Sequence, residues 1–450
     1  MKLDKELLAK YDVPVPRYTS YPTVPYWSDS PSTDQWISAL KKALTKDATW
    51  SMYVHIPFCE TLCTFCGCNT VITKDHKRET PYVQAILTEL ELYRERCPEL
   101  FQKPMKQIHL GGGTPTFLAA PELKSMCKAI FDKVKIDAAH FEGSVEVDPR
   151  RTSREQLKVL RELGFSRVSM GVQDFDPEVQ RLVNRVQPLE QTKALTEASR
   201  ELGYTSVNYD LIYGLPKQTI ESFKRTAEAT VQLRPDRIAL YSFALVPWIK
   251  PQQRLFKDSD LPVGADKRAL YELGYEILTN AGYIEIGMDH FALPEEALAQ
   301  AAKQGHLHRN FMGYTEQRTD ILLGLGVSSI SEAPGCFHQN EKVLPVYERR
   351  IQAREIPTLR GHVLSEDDRF YRELILKFMT QLQVKLPKPE MIEDAKQFLA
   401  PMIQDGLVQV QGDSLSLTEA GRPFLRNACV LLDHRMRLAK PQAKVFSQAM

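Results

Sequence analysis

From Ser51 to about Val246, apolar runs of strand length alternate with amphipathic stretches of helix length, and this alternation limits the possible folds more than any other feature of the chain. The candidate strands are Met52–Ile56, Gln107–Leu110, Ser144–Val147, Arg167–Val172, Ser206–Ile212 and Arg237–Ser242. Amphipathic stretches such as Tyr82–Arg94 and Leu189–Leu202 lie between them. Strands in strict succession with helices imply a parallel sheet, because neighbouring parallel strands need a helix-sized connection. Six such units with polar residues at the strand ends favour an α/β fold, a partial (β/α)6 barrel, over a two-sided open sheet.

In barrels of this kind the reactive face lies at the C-terminal ends of the strands. Cys59 to Cys68 follow the first strand and Gly111-Gly112-Gly113-Thr114-Pro115 the second. Glu146 and Asp148 end the third, Gln173 and Asp174 the fourth, and Asp210 falls late in the fifth. Taken singly, a turn glycine or a helix-capping aspartate is commoner than a ligand-binding residue. Jointly they describe one polar cavity.

The run Cys59-Glu-Thr-Leu-Cys63-Thr-Phe-Cys66-Gly-Cys68 gathers four of the eight cysteines within ten residues. A [4Fe–4S] cube normally takes four thiolates. A C-x3-C-x2-C loop supplies three and leaves one iron for an outside ligand. The competing readings are zinc, which usually needs a second Cys or His pair at finger spacing, and a redox or disulfide pair. A disulfide framework belongs to oxidising compartments and small secreted chains. This chain has 450 residues and opens Met-Lys-Leu-Asp-Lys with no apolar leader, so a cytoplasmic location is expected. Cys97, Cys127, Cys336 and Cys429 are scattered and read as small buried apolar residues.

Net charge of +1 gives no reason to expect nucleic acid or an anionic membrane as the main partner, and no apolar run approaches the length of a membrane span. Three domains are expected. Residues 1–50 form an N-terminal extension containing Pro16-Arg17-Tyr18-Thr19-Ser20-Tyr21-Pro22-Thr23, where the prolines oppose helix. Residues 51–363 hold the barrel and further elements with the polar and aromatic character of a substrate wall, among them Ile284–Phe291 and His308–Tyr314. Residues 364–450 read as a small, mostly helical domain with a β wing made by Leu407–Gln411, a Gly412-Asp413 turn and Ser414–Leu417. Helices around the wing mix acids and bases without a basic stripe, which favours a packing or lid role over DNA binding.

Cys59-x3-Cys63-x2-Cys66 after the first strand, with Gly-Gly-Gly-Thr-Pro after the second, resembles the radical S-adenosylmethionine (SAM) enzymes. Cys66-Gly-Cys68-Asn69, Pro16–Thr23, Glu146-Val-Asp-Pro149, Gly171-Val-Gln-Asp174, Asp210-Leu-Ile-Tyr-Gly-Leu-Pro216 and His308–Tyr314 narrow it: together they resemble the oxygen-independent coproporphyrinogen III oxidase family, nearly end to end. The resemblance implies a [4Fe–4S] cluster on Cys59, Cys63 and Cys66, and two molecules of SAM. It also implies oxidative decarboxylation of two propionates of coproporphyrinogen III to vinyl groups, giving protoporphyrinogen IX. A low-potential electron donor and an electron acceptor are implied partners, and a monomer is expected.

By the same resemblance Tyr53, Gly112, Glu146 and Ile330 line the first SAM, while Phe65, Gly113, Thr114, Gln173, Arg185, Asp210 and Ala244 contact the second. Tyr53, Glu146 and Cys68 are the candidate catalytic residues, Cys68 standing beside the cluster and not on it. Arg17 and Arg309 are candidates for the carboxylates of the porphyrinogen. The family commonly reads Tyr-Ala-His where this chain has Phe243-Ala244-Leu245, and Gln where it has Met312. The nearest rival is a related haem chaperone that binds haem without decarboxylation; as read here, it lacks the Cys-x-Cys step and the Arg-Tyr-Thr-Ser-Tyr-Pro segment, both present in this chain.

Overall fold

The structure, a computed structural model, describes residues 5–438, 446 and 448. All six expected strands form: β1 (Trp50–Ile56), β2 (Pro104–Gly112), β3 (Glu142–Val147), β4 (Phe165–Gln173), β5 (Ser206–Tyr213) and β6 (Arg237–Ser242). Helices α1 (Glu79–Arg96), α2 (Ala120–Phe131), α3 (Arg154–Glu162), α4 (Leu189–Glu201) and α5 (Ile220–Leu233) alternate with them, as a partial (β/α)6 barrel requires.

The chain divides into two compact units. One comprises residues 27–210 and 319–364. Its strands run in the order β5, β4, β3, β2, β1, then β7 (Ile321–Leu325), β8 (Ile330–Ala333), β9 (Cys336–Asn340) and β10 (Thr358–Val363). Pairing is parallel among β4, β3, β2, β1 and β7. Register aligns Tyr53 with His109, His109 with Ser144, and Glu146 with Ser169. With a period of two along each strand, these polar residues share the inner face. The opposite face carries Met52, Val54, Ile108, Leu110, Val145 and Met170, all buried, against helices that contribute Ile86, Leu90, Leu123, Ile130, Leu157 and Leu160. The outer apolar face builds the core and leaves the inner face free for chemistry.

Local signals place the loops. Ser153 and Gln156 form a capping box at the start of α3. The buried Gln156 amide also donates to the carbonyls of Thr116 and Leu118 at 2.7 Å, which ties the cap to the loop that follows β2.

The other unit comprises residues 1–26, 211–318 and 365–450. Here β6 pairs antiparallel with His290–Ala292, itself hairpinned to Ile284–Gly287. The expected wing is present as Val408–Gln411 and Ser414–Leu417, joined by a third strand, Gln383–Lys385. Tyr11, Tyr18 and Tyr21 from the N-terminal segment are buried in one core with Ile375, Phe378, Met379, Leu407, Leu415, Phe424 and Leu432. The buried Arg426 guanidinium donates to the carbonyls of Val15 and Pro16, and Arg309 donates to the carbonyl of Arg17. Arg17 in turn pairs with Asp289.

In the first unit, Glu89 on α1 is fully buried without a cationic partner. Its carboxyl accepts from the Gly326 amide at 2.8 Å, the Asn340 amide at 2.6 Å and the Tyr347 hydroxyl at 2.7 Å. Burial nevertheless raises its pKa from 4.5 to about 7. Between those values the unfolded chain has lost the proton and the folded chain keeps it, so stability falls as pH rises through this window, by about 3 kcal/mol in all. Glu89→Gln is expected to flatten that fall, as measured by urea unfolding across pH 4 to 8.

Candidate active site

The C-terminal end of β1 is locked to the C-terminal end of β2. The Gly113 amide donates to the Ile56 carbonyl at 2.7 Å, and the Thr114 amide to Phe58 at 2.9 Å. A Cβ on Gly112, which has φ +119°, would stand 2.7 Å from the Ile56 carbonyl oxygen, and one on Gly113 would stand 2.6 Å from that of Pro57. Both positions therefore require glycine for the chain's own packing. The cysteine loop leaves β1 immediately beyond this contact.

Cys59, Cys63, Cys66 and Cys68 line one cavity with Phe65, Gly112, Gly113, Thr114, Glu146, Gln173, Arg185 and Asp210. The cavity has a volume of about 170 Å³. Each of the first three sulfurs has a polar partner. Cys59 Sγ lies 3.4 Å from Thr114 Oγ1, and Cys66 Sγ accepts from the Cys68 amide at 3.4 Å. Cys63 Sγ receives Arg150 Nη2 at 3.5 Å and Arg185 Nη1 at 3.6 Å. Among the described residues no three His, Cys, Asp or Glu side chains converge as ligands of a single metal ion. Three cysteines on one cavity wall, each with a donor, fit a cluster that spreads its ligands over separate irons.

Tyr53 and His55 share the inner face of β1. His55 Nε2 is 2.9 Å from the Asn69 carbonyl, which only accepts, so Nε2 carries the proton and Nδ1 accepts from the Tyr53 hydroxyl at 3.0 Å. Burial lowers the His55 pKa, which keeps this neutral tautomer. The Tyr53 ring stacks on His109, with centroids 5.8 Å apart. His109 Nδ1 is 2.7 Å from Ser144 Oγ and Nε2 is 3.2 Å from Glu146 Oε1. Glu146 also accepts from the Gly112 amide at 3.2 Å. Burial opposes ionisation of Glu146, but His109 and the Gly112 amide hold its pKa below 4.5. Asp210 has only neutral donors, Asn208 Nδ2 at 3.0 Å and Ser169 Oγ at 3.2 Å. Burial, assisted by the Glu146 charge, pushes its pKa from 3.8 up to about 6.

Arg185 is 7% exposed and donates to the Gly171 carbonyl at 2.5 Å and to Asp148 at 3.3 Å, while its Nε has no hydrogen-bond partner. A Cβ on Gly171 would meet both the Gln173 amide and the Arg185 guanidinium, at 2.8 and 2.9 Å. Tyr53 and Ile330 are not among the residues lining the cavity, although the Tyr53 ring and Glu146 both lie against Gly111. Ile330 opens β8, and its carbonyl packs on Gly324, the register partner of Tyr53. Ala244 belongs to the other unit, where its carbonyl accepts from Gln253 Nε2 at 3.2 Å. Arg150, His109, Ser169 and Asn208 were not singled out from sequence. His109 was within reach, lying two residues before Gly111 on one strand face, whereas nothing local marks Arg150 as a partner of Cys63.

The Radical SAM superfamily matches residues 53–230. Oxygen-independent coproporphyrinogen III oxidase of Escherichia coli strain K12 is 40% identical over 99% of this chain and 98% of its own length. The Pseudomonas aeruginosa enzyme of that name is 38% identical, covering 96% of each chain, and the Synechocystis one 36%, covering 100% of this chain and 98% of its own. A solved structure of the E. coli coproporphyrinogen III oxidase, described as a radical SAM enzyme, superposes with a TM-score of 0.90 at 39% identity over 97% of this chain and 100% of that one. The chain belongs to the oxygen-independent coproporphyrinogen III oxidases. It is a radical SAM enzyme of that family, using a [4Fe–4S] cluster and SAM.

For a coproporphyrinogen III oxidase with this cavity, Cys59→Ala, Cys63→Ala and Cys66→Ala should each fall from about four irons per chain to below about one after anaerobic reconstitution. Cys68→Ala should keep its iron. Iron and sulfide assays with visible absorption check both.

Proposed function

We propose that this chain converts coproporphyrinogen III to protoporphyrinogen IX without oxygen, turning two propionates into vinyl groups with loss of CO2. The observation that carries the reading is the single cavity shared by the three cysteines, the Gly112–Thr114 turn, Glu146, Gln173, Arg185 and Asp210, in a chain similar over its whole length to oxidases of this name. When bound, the cluster and SAM would supply radical chemistry for removing a hydrogen atom from a propionate β-carbon.

The protein's residues hold and orient. Cys59, Cys63 and Cys66 carry the cluster. Tyr53, fixed by the neutral His55, lies with Glu146, Gly112 and Ile330 about the first SAM. Glu146 is kept ionised by His109 and the Gly112 amide, which suits it to an ammonium. Phe65, Gly113, Thr114, Gln173, Arg185 and Asp210 serve a second SAM. Arg185 has its Nε left over for a carboxylate, and Asp210 has no cation bonded to it in a site that would suit an ammonium. At the first departure from the family pattern Phe243 is a core side chain, 6% exposed, so the hydroxyl missing there leaves no gap. Arg17 and Arg309 meet substrate carboxylates. Cys68 acts on the substrate side of the cluster; a Cys68→Ser enzyme with intact cluster and full turnover would remove that role. The chain works as a cytoplasmic monomer with a low-potential one-electron donor. Among the described residues no helix is long and apolar enough to cross a membrane.

Two measurements test this reading. Anaerobic turnover with coproporphyrinogen III, SAM, dithionite and an electron acceptor should yield protoporphyrin and 5′-deoxyadenosine together, and both should be lost in Cys63→Ala. Deoxyadenosine without protoporphyrin would move the substrate elsewhere. The second concerns pH. Asp210 is a carboxylate only above about 6, so binding of the second SAM should weaken about tenfold for each pH unit below that value. Asp210→Asn should bind weakly at all pH values and lose the dependence, read by equilibrium dialysis with labelled SAM.

A further inference from the structure

Of the cysteine sulfurs in the cavity, Cys63 has charged donors. Asp148 and Arg150 sit in the turn that leaves β3, where the Arg151 amide donates to the Asp148 carbonyl at 2.9 Å. Arg150 Nε lies 3.0 and 3.2 Å from the two Asp148 oxygens and Nη2 lies 2.7 Å from Oδ2, a forked pair. The fork aims Nη2 at Cys63 Sγ, 3.5 Å away. Arg185 approaches from beyond β4 and repeats the arrangement, with Nη1 at 3.3 Å from Asp148 Oδ2 and 3.6 Å from the same sulfur. The side chains of Arg150, Asp148 and Arg185 are 12%, 9% and 9% exposed, so water screens little of this charge. Two guanidinium groups and one carboxylate leave a net positive charge against Cys63. Cys59 and Cys66 have a hydroxyl and a backbone amide at the corresponding distance.

We propose that Arg150 is a positioning residue that sets the reduction potential of the cluster through Cys63. Resting on the cluster reading above, the inference adds a role for a residue that reading does not use. A cluster gains one negative charge when it takes one electron from the low-potential donor, and no bond or proton changes hands at the arginines. Hydrogen bonds and positive charge at a ligand sulfur stabilise the reduced form and raise the potential. Arg150 and Arg185 act in that direction. Asp148 aims both guanidinium groups and offsets part of their charge, which limits the rise. A bare SAM-binding role would not require Arg150 to reach the sulfur, and a bare structural ion pair would not require the sulfur at its open end.

The test is an EPR-monitored redox titration of reconstituted protein without substrate, with iron content measured in each sample. Arg150→Met should lower the midpoint so that reduction is at least tenfold less favourable, a change of 59 mV for one electron. Asp148→Asn should move the midpoint in the opposite direction, because Asn keeps an acceptor for the fork and removes the negative charge. Arg150→Lys, which keeps the charge without the fork, should fall between wild type and Arg150→Met. Midpoints within error of wild type in cluster-loaded variants overturn the inference, and so do shifts of the same sign in Arg150→Met and Asp148→Asn, which would report only a loosened loop. If Arg150→Met holds no iron, Arg150→Lys and Asp148→Asn decide by the same signs. A wild-type protein that takes up no cluster would instead defeat the cluster reading itself.

Discussion

The contact between the end of β1 and the glycine turn after β2 is the constraint on which the site depends. Backbone meets backbone there, with the Ile56 and Pro57 carbonyls filling the places where side chains of Gly112 and Gly113 would be. The contact fixes where the cysteine loop begins, presents Thr114 to Cys59, and turns the Gly112 amide toward Glu146. A larger residue at either glycine would push the two strand ends apart and move three site elements at once. The glycines thus serve the fold first, and the close approach they allow a ligand is a consequence of the same geometry.

Inside the barrel the polar residues are arranged as a graded series of charge states. His55 is neutral because it is buried and because its tautomer is fixed by the Asn69 carbonyl. Glu146 is held ionised against burial by His109. Asp210, two strands away and given only neutral donors, is much less acidic. Two carboxylates in one cavity are thereby separated in strength by their partners, the usual means of giving similar groups different tasks.

Much of this was readable in the chain. The six strands follow from apolar residues recurring on one face, and the same period places Tyr53 with His55 and Glu146 with Ser144 on the other. Strand ends were less readable, since β2 continues into Gly111 and Gly112, residues that read as a turn. The sharing of one core by Tyr11, Tyr18 and Tyr21 with the C-terminal helices was out of reach because it joins segments hundreds of residues apart. So was the meeting of Arg150, Asp148 and Arg185 at Cys63. Sequence spacing shows which residues share a strand, and it does not show which guanidinium groups on different loops turn toward one sulfur. Arg185 and Asp210 were legible by resemblance as contacts of the second SAM, but the bonding of Arg185 to Asp148 was not.

The division of the chain has a consequence for its biosynthesis. The unit that holds the cysteines contains no residue beyond Leu364, whereas the unit containing the N-terminal segment also contains residues 365–450, which are made later. Val15 and Pro16 find their partner in Arg426, and Tyr18 its hydroxyl partner in Asp433, only after those later residues have been made. During synthesis the start of the chain must therefore wait, with its tyrosines uncovered, while the cysteine-bearing unit already has all of its sequence. Nascent chains stalled near residue 364 would offer iron–sulfur donors a complete cysteine loop and offer chaperones an unpaired N-terminal strap, so maturation of the metal site and closure of the chain ends are separable in time.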